Sequence, residues 1–207
     1  KPLQITMTRC IVRGACDLIA VRDQAPVHVS LDGTLLALDG SGTVIRVTGG
    51  MYEPDDGAEI DVSFNHTTAL LGGGLVTMHS DTVPHKLLPV RITATNNIFS
   101  NFERSPLITI SGSAPPMDYR NLVSWSGKYN FYDQMSEFLW TESSMSIEGG
   151  ESLNFAGWEN WPTVEELDAF NDKINWLKPW QNMSAATLTA EDVSLDPSQS
   201  NRAVRGT

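Results

Sequence analysis

The sequence predicts a mainly β protein: a right-handed parallel β-helix, or solenoid, of about four to five coils closed by a C-terminal aromatic and helical cap. Three observations predict it. An apolar-apolar-polar-apolar segment recurs at residues 18–21 (LIAV), 44–47 (VIRV), 75–78 (LVTM) and 107–110 (LITI), with spacings of 26, 31 and 32 residues. An alternating segment follows the first three copies, at 27–31 (VHVSL), 60–64 (IDVSF) and 90–94 (VRITA). After a bend comes a third short apolar segment, at 10–12, 35–36, 69–71 and 98–99. The same three-part order in every unit fits strands that stack on their counterparts one coil later, about 4.8 Å away. Right-handed winding is the expected sense for parallel crossovers.

Taken in order, residues 3–7 (LQITM) are an early copy of the alternating segment and 121–125 (NLVSW) a late, weaker one. Alternation sends one face inward. Val27, Ile60 and Val90 should form one inner row, and Val29, Val62 and Ile92 a second. His28, Asp61 and Arg91 should form an outer column, an exposed charge ladder rather than a catalytic trio. Asn96 and Asn97 at the bend read as turn residues whose amides bind backbone groups. Ile19, Ile45, Val76 and Ile108 are expected to stack as one spine. The connections at 22–26, 48–58, 79–89 and 111–119 then lie along one edge, where a repeat protein usually binds.

Residues 1–126 therefore read as the coils and 127–207 as the cap. Thr163 with Glu166 resembles a capping box, and Val164, Leu167, Phe170 and Ile174 recur at helical spacing, so one helix is expected near 163–176. Trp158, Trp161, Trp176 and Trp180 should pack on the open end of the coils, with a sugar site as the alternative. An extended tail ends in loose residues at 198–207.

The formal charge is −11, with 25 acidic against 14 basic residues. Nucleic acid and anionic membranes need clustered Lys and Arg, so neither is an expected partner. No run approaches the roughly 18 to 20 apolar residues of a membrane span. The start shows no signal-peptide pattern, which says nothing of compartment. Cys10 and Cys16 read as small buried thiols, although a fold-back would permit a disulfide. The pair lacks nearby His or Cys partners for a metal.

The coil pattern, the NNIFS bend at 96–100 and the ending at 188–197 (LTAEDVSLDP) resemble right-handed parallel β-helix modules of the pectin-lyase-like kind. Such modules occur in planctomycete multidomain proteins, some of which also carry a serine/threonine kinase domain. The resemblance covers nearly the whole chain and implies a bacterial protein in an extracellular or cell-surface setting. Kinase motifs are absent: Gly72-Gly73-Gly74 is a coil corner, and neither H-R-D nor D-F-G occurs. Enzymes of this kind use carboxylates on the coil surface, often holding calcium.

The matching catalytic candidates are Asp55, Asp56 and Asp81. Binding candidates on the same edge are Glu53, His79, His85 and Asp118. Oxygen ligands on converging loops could take Ca²⁺, but no D-x-D pair with matching spacing in adjacent coils is present, so no metal or other cofactor is assigned. The leading expectation is a non-catalytic recognition or scaffold module that binds a protein or polysaccharide along the loop edge. The alternatives are a polysaccharide lyase or hydrolase, and a structural spacer.

Overall fold

Three mostly parallel sheets, each of six strands, organise the chain, and the backbone visits them in rotation. The computed structural model describes residues 1–22, 25–50, 52–102, 104–145 and 150–198. Strands β1 (Leu3–Thr8), β2 (Ile11–Gly14) and β3 (Ile19–Val21) begin sheets A, B and C. One strand is added to each by β4 (Val27–Asp32), β5 (Leu35–Leu38) and β6 (Ile45–Thr48), and again by β7 (Ile60–Asn65), β8 (Thr68–Leu71) and β9 (Val76–Ser80). The next round is β10 (Val90–Thr95), β11 (Ile98–Asn101) and β12 (Ile108–Gly112). Helix α1 (Pro116–Tyr119) precedes β13 (Val123–Lys128), β14 (Phe131–Asp133) and β15 (Leu139–Ser143). Sheet C ends in β16 (Glu151–Leu153), antiparallel to β15. Helix α2 (Phe155–Glu159) then leads to β17 (Val164–Leu167) and β18 (Phe170–Asp172), which end sheets A and B. This arrangement is consistent with a solenoid-like β-helix.

The predicted spine is present. Ile19, Ile45, Val76 and Ile108 are successive register partners in sheet C. In sheet A, Val27, Ile60 and Val90 form one inner row and Val29, Val62 and Ile92 another, all buried. Each such burial contributes about 1.5–3 kcal/mol. The outer column also forms, with a refinement: His28 Nδ1 pairs with Asp61 at 3.1 Å, while Arg91 turns to Glu59 at 2.8 Å.

The corner between sheets A and B repeats one backbone state. Arg9, Gly33, His66, Asn96, Tyr129 and Asp168 all have φ between 48° and 59°, the left-handed region. In the four inner turns the next residue points inward and carries a buried polar side chain: Thr34, Thr67, Asn97 and Asn130. Each donates to a carbonyl one turn back: Thr34 to Met7, Thr67 to Leu31, Asn97 to Phe64 and Asn130 to Ala94. Asn97 Oδ1 also accepts from Thr67 N at 2.8 Å, so this one side chain pairs a backbone N–H as well as a carbonyl of the corner. At the corner between sheets B and C, Gly72 packs so closely that a Cβ there would lie 2.6 Å from the Asp39 carbonyl carbon.

Three expectations are corrected. Residues 163–176 do not form a helix; they hold β17 and β18. In the segment 164–167 (VEEL), Val164 and Glu166 face in while Glu165 and Leu167 face out. A carboxylate at an inward position hides the strand's period of two. Second, Cys10 and Cys16 are exposed free thiols: they sit at the bends flanking β2, and among the described residues no strand pairs with the outer edges of β1, β2 and β3. Third, only Trp158 and Trp161 pack with the main core. Trp176 and Trp180 lie outside it, with Leu35, Ala37, Leu70, Phe102, Ala185 and Leu188. The C-terminal segment is thus a strap across the outer face of sheet B. It runs from Trp176, whose Nε1 donates to Asp133 at 2.8 Å, to Leu188, whose carbonyl accepts from Arg13 at 2.6 Å. It returns through Asp192, which binds Lys178 at 2.7 Å, to a bridge between Leu195 and Trp176. The expected loose tail lies, from residue 199 on, outside the described residues. Among the described residues no helix is long and apolar enough to cross a membrane.

Candidate functional site

Three successive connections between sheets C and A meet in a cleft of about 430 Å³. The connection after β6 supplies Asp55, Asp56, Ala58 and Glu59. That after β9 supplies His85, Leu87 and Pro89, and that after β12 supplies Asp118, Asn121 and Leu122. Register fixes this convergence. β6, β9 and β12 are neighbours in sheet C and β7, β10 and β13 in sheet A, so the segments joining them must run side by side.

Backbone contacts hold the loops together. Gly49 N donates to His79 O at 2.9 Å and Gly50 N to Lys86 O at 3.3 Å. A Cβ on Gly49 would come within 2.7 Å of the His85 carbonyl oxygen, so the two loops touch at backbone level. Ala58 N closes a turn on Asp55 O at 2.9 Å, which presents Asp55 and Asp56 to solvent. Helix α1 orients Asp118 outward while Tyr119 turns in, its hydroxyl accepting from Ala114 N at 3.2 Å.

Among the cleft's titratable groups, His85 is the one whose burial shifts its titration. Its Nδ1 accepts the Leu87 N–H at 2.9 Å, which leaves the proton of the neutral ring on Nε2. Its ring centroid lies 6.4 Å from that of Tyr119. Burial pushes the His85 pKa down, against the opposing pull of the Asp118 and Glu53 carboxylates, so the ring is neutral near pH 7. The cleft therefore has carboxylates at its rim, a neutral imidazole on its wall, and Ala58, Leu87, Pro89 and Leu122 as apolar surface.

The predicted residues divide into two groups. Asp55, Asp56, His85 and Asp118 come together at the cleft, and Glu53 is near enough to act on His85. Asp81 and His79 do not line it. They form a separate exposed pair, His79 Nε2 to Asp81 at 3.1 Å, with His79 Nδ1 2.9 Å from Ser111 Oγ. Among the described residues no three His, Cys, Asp or Glu side chains group so as to hold a metal ion. Sequence reasoning missed Glu59, Leu87, Asn121 and Leu122. Each lies within three residues of an alternating strand, so the strand starts at 60, 90 and 123 were the available signal.

Comparison with protein-family models, curated proteins and solved structures finds no match for this chain.

Proposed function

We propose that this chain is a non-catalytic recognition module that binds a protein or polysaccharide partner along its loop edge. The observation carrying the reading is the cleft itself: three loops from adjacent turns, tied by backbone hydrogen bonds, with an acidic rim over apolar surface. A few polar groups around apolar lining is the composition of a binding site. The acidic rim favours a cationic or neutral ligand over an anionic one. Against catalysis stands the separation of Asp81 from Asp55 and Asp56, which splits the acidic set that the lyase reading requires. On this reading the fold is a right-handed parallel β-helix of the pectin-lyase-like kind, as in planctomycete multidomain proteins at the cell surface. The segment from 127 onward, expected as its cover, itself adds β14, β15, β17 and β18 to the three sheets.

Glycan-array and peptide-array binding by the folded protein, repeated with Asp55→Asn/Asp118→Asn, tests the proposal. Saturable binding that weakens in the variant supports it. Product release from a panel of acidic and neutral polysaccharides, with or without Ca²⁺, that vanishes in Asp81→Asn would establish the enzyme reading instead. No binding to any array would favour the spacer.

A further inference from the structure

The three connections that wall the cleft are acidic and carry exposed apolar tips. Between β6 and β7, β9 and β10, and β12 and β13 the chain has six carboxylates, Glu53, Asp55, Asp56, Glu59, Asp81 and Asp118, against two basic residues, Lys86 and Arg120. Glu59 is paired with Arg91 and Asp81 with His79. Among the described residues, Asp55, Asp56 and Asp118, all lining the cleft, form no ion pair. A cation placed among them would gain from all three.

Each connection also leaves one large apolar residue in solvent: Tyr52 is 76% exposed, Val83 59% and Met117 67%. None of the three lines the cleft, but each stands within two residues of one that does: Pro54, His85 and Asp118. Single exposed apolar residues need no explanation, but one in each of three adjacent turns beside a concave site marks an interaction surface. The apolar part of the cleft is aliphatic as well, made by Ala58, Leu87, Pro89 and Leu122.

This chemistry discriminates between the two partner classes of the recognition reading, on which the inference rests. A sugar ring stacks on flat aromatic faces, and of the three exposed tips Tyr52 alone is aromatic. Aliphatic and thioether groups suit polypeptide side chains, and Met adapts to them most readily. A Lys side chain offers both halves of the match, a four-carbon stem for the aliphatic wall and an ammonium for the carboxylate rim.

We propose that the occupant of this edge is a short basic segment of a partner protein, in which Lys has apolar neighbours. The Lys stem lies against Leu87 and Leu122 with its ammonium at Asp55, Asp56 and Asp118, and the apolar neighbours rest on Val83 and Met117. Three turns span about 10 Å, the reach of about three extended residues, so the recognised motif is short.

Fluorescence anisotropy of the folded 207-residue chain, with a labelled peptide of roughly six Lys and Val residues, tests this. The peptide should bind saturably, and more weakly as salt rises. Replacing its Lys by Glu should abolish binding, and replacing its Val by Ser should weaken binding on the order of tenfold. Asp55→Asn/Asp118→Asn and Val83→Ser/Met117→Ser should each weaken it on the order of tenfold as well. All four of those side chains are exposed, so neither variant should disturb the fold. Glu151→Gln/Glu165→Gln, at two exposed carboxylates on β16 and β17, should leave binding unchanged. Equal weakening in all three variants would mean bulk attraction to an acidic chain and would overturn the proposal. Binding indifferent to Val83→Ser/Met117→Ser would do the same. A saccharide bound on the glycan array with no peptide bound would overturn this inference and leave the recognition module standing, whereas silence from both would end both.

Discussion

Glu166 is the register partner of Gly127, and its carboxylate fills the space that a side chain at 127 would occupy. The inner column of sheet A runs Met7, Leu31, Phe64, Ala94, Gly127, Glu166. The smallest residue thus stands next to the one charged residue. The carboxylate accepts from Trp125 Nε1, from Tyr132 Oη at 2.9 Å and from Asn130 Nδ2 at 2.9 Å. The ladder of corner Asn side chains therefore ends on a carboxylate that ties β17 to the preceding turn.

Gly127→Ala should destabilise the fold by about 1–3 kcal/mol, since its Cβ meets the Glu166 carboxylate and the Trp125 indole nitrogen. The double variant Gly127→Ala/Glu166→Ala should be more stable than the sum of the two single losses predicts. Urea unfolding of the four proteins measures the coupling, and strict additivity would contradict the contact.

The same carboxylate should make stability depend on pH. Burial raises the Glu166 pKa above the ordinary 4.5, against the lowering effect of its three hydrogen-bond donors. Because the folded value exceeds the unfolded one, protonation is favoured by folding. That contribution is fully present below the unfolded pKa and is lost as pH rises through the folded pKa. Melting temperature should thus fall on raising the pH across the weakly acidic range, and Glu166→Gln should flatten that part of the profile. Tyr132 stays protonated throughout, since burial and then Glu166 push its pKa well above 10.

Asn96 and Asn97 are adjacent but differ in role. Removing the Asn97 side chain strands the Thr67 N–H and takes a donor from the Phe64 carbonyl, both in the buried corner, while Asn130 Oδ1 keeps the Asn97 N–H, so Asn97→Ala should cost about 1–3 kcal/mol. Asn96 supplies a left-handed backbone, φ 57°, and just one exposed side-chain contact, 3.5 Å to His66 Nε2, so Asn96→Gly should be nearly neutral while Asn96→Val costs about 1–2 kcal/mol. Equal losses at 96 and 97 in chemical denaturation would contradict this division.

The fold was legible where one face alone is buried. The alternation in 27–31, 60–64 and 90–94 gave the strand, its facing and its register partners, because inward Val and Ile contrast with outward His, Asp, Arg, Ser and Thr. It was not legible at 164–167, where Glu166 replaces an apolar inward residue and the remaining Val164, Leu167 and Phe170 mimic a helical stripe. Nor was the strap legible from its own residues. Its signal lay in β5, LLAL, a continuous apolar run buried on both faces, which means something covers the outside of the sheet. At the site, Asp55, Asp56, His85 and Asp118 were legible as one edge because stacked turns align their loops. The exclusion of Asp81 was not, since its pairing with His79 at the end of β9 depends on side-chain direction.

The strap should come away without unfolding the sheets. Trp180 is fully buried and packs edge-on against Phe102 at 5.0 Å and against Trp176 at 5.7 Å. It nevertheless belongs to a cluster separate from the main core. Trp180→Ala should cost about 3–5 kcal/mol of strap docking. Amide exchange should then quicken across 176–195 and at β5 and β8, with β7 and β10 in sheet A unchanged. Trp180→Phe should lose far less, because the buried Trp180 Nε1 has no hydrogen-bond partner among the described residues. Acid should loosen the same segment. Lys178 and then Thr189 hold the Asp192 pKa down to about 2, so its contribution is present above the unfolded value of 3.8 and lost as pH falls through the folded one. Exchange that quickens uniformly over all three sheets in Trp180→Ala would mean instead that strap and sheets unfold as a single unit.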